Sequence, residues 1–502
     1  MRTVLSAEQL KYVQRQKDIE LSSAHRKVKP FLKALESSSL AKFRKLTDTD
    51  VINLAHRFNT MDSFIEMCTS AGNVGDLGRL PIFKYEYVTY DYGENINNIV
   101  SSVQSVDEPS GDILYKQILA IKDAGDVKAG QVLASAKKAP DNWQVTNFGI
   151  NGMRATVATV AGTASYTLAI GKKIVPNMVS IKSNILVNNV PVSGIDDGYG
   201  NLMGYGIKAG TVNYETGAIE IELSEAPEAD KAIYVFYTLN VEDSGDIASF
   251  TGGLARLPIT CDTIALAGEY GIFQDFAIFK KIGKAADEDV IQDLTNMTNF
   301  QLFNRLMIGG SSTVNVDGVP ASGVMNCVPA SHQMIWYRQP NTTSNNYYSL
   351  QAPEIARKLS QMDGFIQQDM GRGSANVLVA GTNAIADLEF LPDFEPIEVG
   401  TYGAKVKGKF RNRIVISNPA QDANTIYGFY KGTQDFDAAT YCATYMPITM
   451  SDVLVGQGGN LARRARVLAT WAASGVAVPE GLASLHIEDA PSIDPDQPSG
   501  SV

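Results

Sequence analysis

Ile426-Tyr-Gly-Phe-Tyr-Lys-Gly-Thr-Gln-Asp-Phe-Asp-Ala-Ala-Thr-Tyr-Cys-Ala-Thr-Tyr-Met-Pro-Ile448 is the stretch on which the reading of this chain turns. Aromatic and β-branched residues fill both ends and Lys431-Gly432 interrupts them, so it reads as strands joined by a turn. Upstream, Met370-Gly-Arg-Gly-Ser-Ala leads into a strand, Asn376-Val-Leu-Val-Ala380, and then a short helix from Asn383 to Glu389. Before it, Ile355, Leu359, Met362, Ile366 and Met370 recur at helical spacing, and Pro353 suits a first turn. A longer helix is expected over 287–308. Val290, Ile291, Leu294, Met297, Phe300, Phe303 and Leu306 form its apolar stripe, and Gly309-Gly310 ends it. Asp287, Glu288 and Asp289 sit in its first turn, where carboxylates complement the helix dipole. Residues 461–473 fit a helix or an extended strand. The Pro-rich acidic tail from about 486 reads as disordered.

Farther from that centre the pattern changes twice. Residues 163–243 alternate short β segments with turn clusters. Ile219, Ile221 and Leu223 share one face and Glu220 and Glu222 the other, the mark of a half-buried strand. A small β-sandwich-like module is expected there. Residues 83–92 and 143–148, rich in aromatic and β-branched residues, also read as strands, the first only with a bulge. Residues 1–79 look helical and polar, with a capping box at Ser6-Ala-Glu-Gln9 and a second helix start at Asp48-Thr49-Asp50. They lack the apolar residues for a core of their own and read as an arm that needs a partner surface.

Composition narrows the function. The chain has 502 residues, 44% of them hydrophobic, and a net charge of -11, so it has no bulk attraction to nucleic acid or anionic membranes. No apolar run is long enough to span a bilayer, and polar residues break any signal-peptide core from Glu8 onward, which implies synthesis in the cytoplasm. Cys68, Cys261, Cys327 and Cys442 lie far apart and read as reduced thiols, and four histidines leave little for a metal site. No nucleotide-binding, zinc-protease or serine-hydrolase motif occurs, and Asp196-Asp197-Gly198 lacks the glutamate a calcium loop needs. No catalytic residue, cofactor or metal is expected, and the chain does not read as an enzyme.

The segments 370–389 and 426–448 resemble the major capsid proteins of T-even-type tailed bacteriophages. Tyr430-Lys431-Gly432, Asp437-Ala438 and Tyr441-Cys442 with Tyr445 and Pro447 occupy the family's pattern, and Ala443-Thr444 departs from it as an insertion. Leu257–Tyr270 resembles the strand that enters the peripheral domain. The resemblance implies an α+β, HK97-like fold: an N-terminal arm (1–79), an extended loop (80–256) carrying an all-β insertion, a peripheral domain with a long spine helix (257–372 and 440–485) and an axial domain (373–439). It implies hexameric and pentameric capsomers that enclose double-stranded DNA in a virion shell. Scaffold, portal, vertex or decoration proteins are the implied partners, DNA is contacted without sequence preference, and no membrane is involved. None of the glutamates at 8, 20, 36, 66 and 86 follows the family's Leu/Ile-x-Glu maturation signal, so either residues 1 to about 75 stay attached or a protease of different specificity applies.

Within that plan, Trp143 and Phe148 are candidates to anchor the extended loop. Asp293 and Arg305 are candidates to pair across subunits, and Tyr402, Lys405 and Lys407 to line a capsomer axis. Arg463 and Arg464 belong to the densest basic cluster, suited to a phosphate, an acidic neighbour or solvent. An encapsulin-type compartment and a β-rich tail or decoration protein remain open alternatives.

Overall fold

Ile219, Ile221 and Leu223 are each at most 2% exposed, and the strand that carries them, Ala218–Leu223, is central to a three-stranded sheet with Ile207–Asn213 and Ser165–Ala169 in the computed structural model. The structure describes residues 21–489 except 39–40, 42, 44–45, 71–84, 123–128, 130–135, 139–143, 147–152, 229–230, 241–249, 284–285, 315–319, 339–350, 400–402, 434–435, 452–453 and 456–462. The chain divides into two compact units, one of residues 1–115, 255–367 and 373–502, the other of 116–254 and 368–372.

The smaller unit holds the β module. A five-stranded sheet runs in the order Met153–Ala158, Ala232–Tyr237, Ser180–Val187, Val190–Asp196, Leu202–Tyr205. Its Ile181, Val192, Ile233 and Val235 share one core with Ile219 and Ile221 of the three-stranded sheet, so the sandwich expected from alternation is present. Asn188 and Asn189, both at positive φ, make the two-residue turn between Ser180–Val187 and Val190–Asp196. Asp196, 2% exposed, ties the loops at one end: it accepts Tyr214 Oη at 2.6 Å and the backbone N–H of Asn177 at 2.7 Å. Burial and the Asp196 carboxylate push the Tyr214 hydroxyl up to about 12, so it remains a donor at any ordinary pH. Tyr214→Phe leaves Asp196 short of a donor and is expected to cost about 1–3 kcal/mol. The loss should appear in calorimetry as a lower melting temperature of the transition assigned to this module.

In the larger unit a five-stranded sheet has the order Ser102–Ser105, Thr440–Met450, Arg463–Val476, Asp262–Gly271, with Leu454–Val455 added beside Arg463–Val476. The first pair is parallel and the rest antiparallel. Within the undecided stretch 461–473, residues 463–473 are therefore strand, and 461–462 lie outside the described residues. The long helix Ala286–Ile308 packs over this sheet, burying Leu294 against Leu468 and Ile448, and Leu302 against Ile264 and Cys442. At 1.5 Å per residue it is roughly 34 Å long.

A seven-stranded mixed sheet has the order Gln333–Arg338, Leu482–Asp489, Thr425–Phe429, Val377–Ala380, Arg413–Ser417, Lys405–Phe410, Phe394–Val399. Its central strand, Val377–Ala380, is buried throughout. Helix Ala352–Met370 buries Ile355, Leu359, Met362 and Ile366 completely. The Gly-Arg-Gly turn before the central strand needs its glycines: Gly371 and Gly373 have φ of 66° and 84°, and a Cβ on Gly373 would stand 2.1 Å from the Tyr430 ring. Residues 486–489, placed in the tail by sequence, belong to strand Leu482–Asp489, and 490–502 lie outside the described residues.

The N-terminal region corrects two expectations. Residues 85–94 form a helix, Tyr85–Glu94, and not a strand. Period two needed a bulge here, whereas helical spacing places Val88, Thr89 and Tyr92 together on the buried side, each at most 3% exposed. The arm also has a core within its own chain. Ala24, Val28, Leu35, Leu54, Phe58 and Met61 pack with Val88, Tyr92 and Val103. Phe31, Phe58 and Tyr85 form a ring cluster with centroids 4.5–5.8 Å apart. The capping box at Ser6 lies outside the described residues.

Candidate assembly surface

Helix Asp48–Ser70 and helix Tyr85–Glu94 meet strand Thr440–Met450 through a buried polar cluster. Arg57, 3% exposed, stands 3.4 Å from Asp91 and donates to Thr444 Oγ1 at 2.9 Å. Its guanidinium also lies over the Tyr92 ring, whose hydroxyl donates to Asp50 at 2.6 Å. Burial pushes the Asp91 carboxyl up, and the Arg57 charge only partly offsets this, in keeping with their loose distance. The arm is thus fastened by polar side chains set inside its apolar core.

A second ion pair, with its arginine buried and its carboxylate half-buried, fixes the start of the long helix. Arg466 Nε and Nη2 reach the two carboxylate oxygens of Asp287 at 2.7 and 2.5 Å, and Nη1 donates to Ser451 O at 3.0 Å. Tyr270 Oη donates to Asp287 at 3.1 Å. Burial pushes the Asp287 carboxyl up, but the Arg466 hydrogen bond and charge outweigh it and hold it below its ordinary 3.8.

Most residues nominated from sequence are not brought together. Trp143, Phe148 and Tyr402 lie outside the described residues. Asp293 and Arg305 share the long helix but not an ion pair: Asp293 is exposed, and Arg305 stands 3.7 Å from Asp262 of its own chain. That partly exposed pair contributes little to stability. Lys405 and Lys407 both approach Glu398, at 3.4 and 3.5 Å, and lower its carboxyl, Lys407 the more strongly. Arg464, half-buried and opposite Tyr270 in the strand register, adds its charge to the field that lowers Asp287. Arg463 stands opposite Gly271, and its side chain is outside the described set. The basic cluster therefore serves the chain's own fold through Arg466, the member not nominated.

Nothing here assembles a catalytic centre among the described residues. A cleft of about 630 Å³ in the larger unit is lined by Asp50, Asn53, Ser374, Asn376, Lys431 and Asp437 with hydrophobic neighbours. Asp50 accepts from Tyr92, Asp437 from Tyr430, and Lys431 donates to the carbonyl of Asn98. No group of three His, Cys, Asp or Glu side chains among the described residues could hold a metal ion. Burial pushes the Cys261 and Cys442 thiols up to about 11 and about 12, which leaves them unreactive. No helix among the described residues is long and apolar enough to cross a membrane.

Sequence reasoning missed the most exposed aromatic feature of the larger unit. Helix Ile272–Ile282 turns Phe273, Phe276 and Phe279 outward. Their three-residue spacing is legible in the chain, but a core stripe has the same spacing.

Residues 328–468 match the family model described as Major capsid protein Gp23. The matched span runs through most of the seven-stranded sheet to the middle of strand Arg463–Val476. No curated protein matches the chain. Among solved structures, a chain of Mycobacterium phage Bobi is 10% identical, covering 66% of this chain and 89% of that one with a TM-score of 0.32. The capsid of Myoviridae Phage XM1 is 8% identical, covering 66% and 89% with a TM-score of 0.30. The SrpI encapsulin complex from Synechococcus elongatus PCC 7942 is 9% identical, covering 48% and 77% with a TM-score of 0.27.

Proposed function

We propose, from the match of residues 328–468 to the family model described as Major capsid protein Gp23, that copies of the whole chain tile a closed icosahedral or prolate head around the double-stranded DNA of a tailed bacteriophage. The family match is the observation that carries this reading. The element order supports an HK97-like plan. The helices of residues 21–70 serve as the arm. The paired strands Ser110–Ala120 and Phe250–Thr260 serve as the extended loop leading to and from the β module. The five-stranded sheet with the long helix serves as the peripheral domain and the seven-stranded sheet as the axial domain. The axial domain then takes in 333–338 and 482–489 beyond the boundaries expected from sequence.

Shell building needs many moderate contacts that close on themselves, not one tight site. Exposed Asp293 and the Lys405–Lys407 edge are the polar groups proposed to face neighbouring copies. Trp143, Phe148 and Tyr402 keep their proposed loop and axis roles. A chain with net charge -11 holds packaged DNA loosely, which favours filling and emptying of the head. Scaffold, portal and vertex or decoration proteins complete the proposed set of partners, and the host bacterial cytoplasm is the proposed site of synthesis.

Purified protein brought to high concentration is expected to form closed polyhedral shells under negative-stain microscopy. A species that stays monomeric at every concentration, or that builds fibres, would overturn the proposal.

A further inference from the structure

Phe273 is 82% exposed, Phe276 65% and Phe279 61% on helix Ile272–Ile282. At i, i+3 and i+6 they form one continuous ridge. With about 200 Å² for each fully bared ring, the three leave roughly 400 Å² of apolar surface uncovered. Single exposed apolar residues are ordinary, but a contiguous aromatic patch of this size marks a contact surface. Nothing among the described residues covers it.

We infer that this helix packs antiparallel against the same helix of a second copy, across a two-fold axis; the inference rests on the chain being a shell subunit. The charge order along the helix favours that occupant. Asp275 lies in the first turn and Lys280 and Lys281 in the last. Antiparallel packing lays the acidic end of each helix along the basic end of its mate, and the helix dipoles oppose each other. A parallel arrangement stacks like ends together. Centred between Ala277 and Ile278, the antiparallel pair sets Phe276 level with Phe279 of the second copy, in both directions. Ala277, exposed and about 100° round the helix from Phe276, lies on the flank of the pair, on the same side in both copies. Lys280 Nζ lies 5.8 Å from the Phe276 ring centre and steadies that ring.

The area also fits. Roughly 400 Å² per copy is about half of the ~800 Å² per partner that a stable dimer buries. Alone, the contact is fleeting. Where other contacts already hold two copies together it becomes persistent, as suits a shell that must first form and then close.

The test joins a cross-link to a disruption. In full-length protein carrying Ala277→Cys, a short bis-maleimide is expected to join residue 277 to residue 277 of another copy in assembled shells, identified by peptide mass spectrometry. Phe276→Asp with Phe279→Asp should leave the melting temperature of the unassembled subunit within a degree or two, because both rings are exposed. The same pair should raise the concentration needed for assembly at least tenfold and abolish the cross-link. Shells that form with residue 277 linked only to a native cysteine, such as Cys68 or Cys327, or with the aspartate variant assembling at the wild-type concentration, overturn the helix pairing and leave the shell reading intact. Wild-type protein that never forms shells refutes the shell reading on which the pairing rests.

Discussion

Arg466→Ala is expected to lower the stability of the unassembled subunit by up to about 3–5 kcal/mol, the range for breaking a buried ion pair, because the arginine is the buried partner. Arg466 is 7% exposed and holds both oxygens of Asp287 while also bonding the carbonyl of Ser451. Truncation leaves the carboxylate with Tyr270 as its remaining hydrogen-bond donor in this cluster, and the strand end loses its tie to the first turn of the long helix. Arg466→Lys keeps the charge but not the two-pronged geometry, so it recovers only part of the loss. The same pair sets a pH signature. The folded state holds Asp287 below its ordinary 3.8, so the unfolded chain binds the proton more readily. Its stabilisation is present above the unfolded value and is lost as pH falls through the folded one. Urea unfolding between about pH 3 and 7 should show wild type weakening below about pH 4 and Arg466→Ala lacking that part of the slope. A variant within 1 kcal/mol of wild type, as judged against the ~3–5 kcal/mol expected, with an unchanged acid slope would refute the account.

Arg57→Ala is expected to be comparably damaging, about 3–5 kcal/mol, but with a different remedy. Truncation strands Asp91, which is buried and already pushed toward its neutral form. The pair itself is loose at 3.4 Å, and Arg57 Nε and Asp91 Oδ1 find no hydrogen-bond partner within normal distance among the described residues. An imperfectly satisfied buried pair stabilises a fold little beyond an apolar filling of similar volume. Arg57→Met with Asp91→Leu should therefore stand within about 1.5 kcal/mol of wild type, and the two single changes should be far from additive. If the double variant is as unstable as the sum of the singles, the cluster contributes real stability and the looseness of its geometry is misleading.

Strong periodicity explains what could be read in advance. The long helix, helix Ala352–Met370, the buried strand Val377–Ala380 and the alternation in Ala218–Leu223 each stand within a residue or two of expectation. The aromatic run at 85–92 misled because β-propensity mostly records how side chains pack, and these tyrosines pack on helices. Among Arg463, Arg464 and Arg466 only the strand's pleat picks out the buried member. Counting back by twos from buried Leu468 reaches Arg466, but that count is available only once the segment is known to be extended. The Arg57–Asp91 and Arg466–Asp287 pairs join residues 34 and 179 positions apart, beyond the reach of any local pattern.

Strand Ser102–Ser105 finds its partner in Thr440–Met450, and the nearby Ser101 and Thr440 hydroxyls meet across 339 residues of chain. At roughly 5–20 residues per second a ribosome needs about 20–70 s to cover that distance. During this interval the edge awaiting its mate stands open, while the β module, whose pairings are far more local, can already be complete. A nascent subunit therefore spends most of its synthesis half-built, and chaperone capacity during translation is where its yield would first be limited.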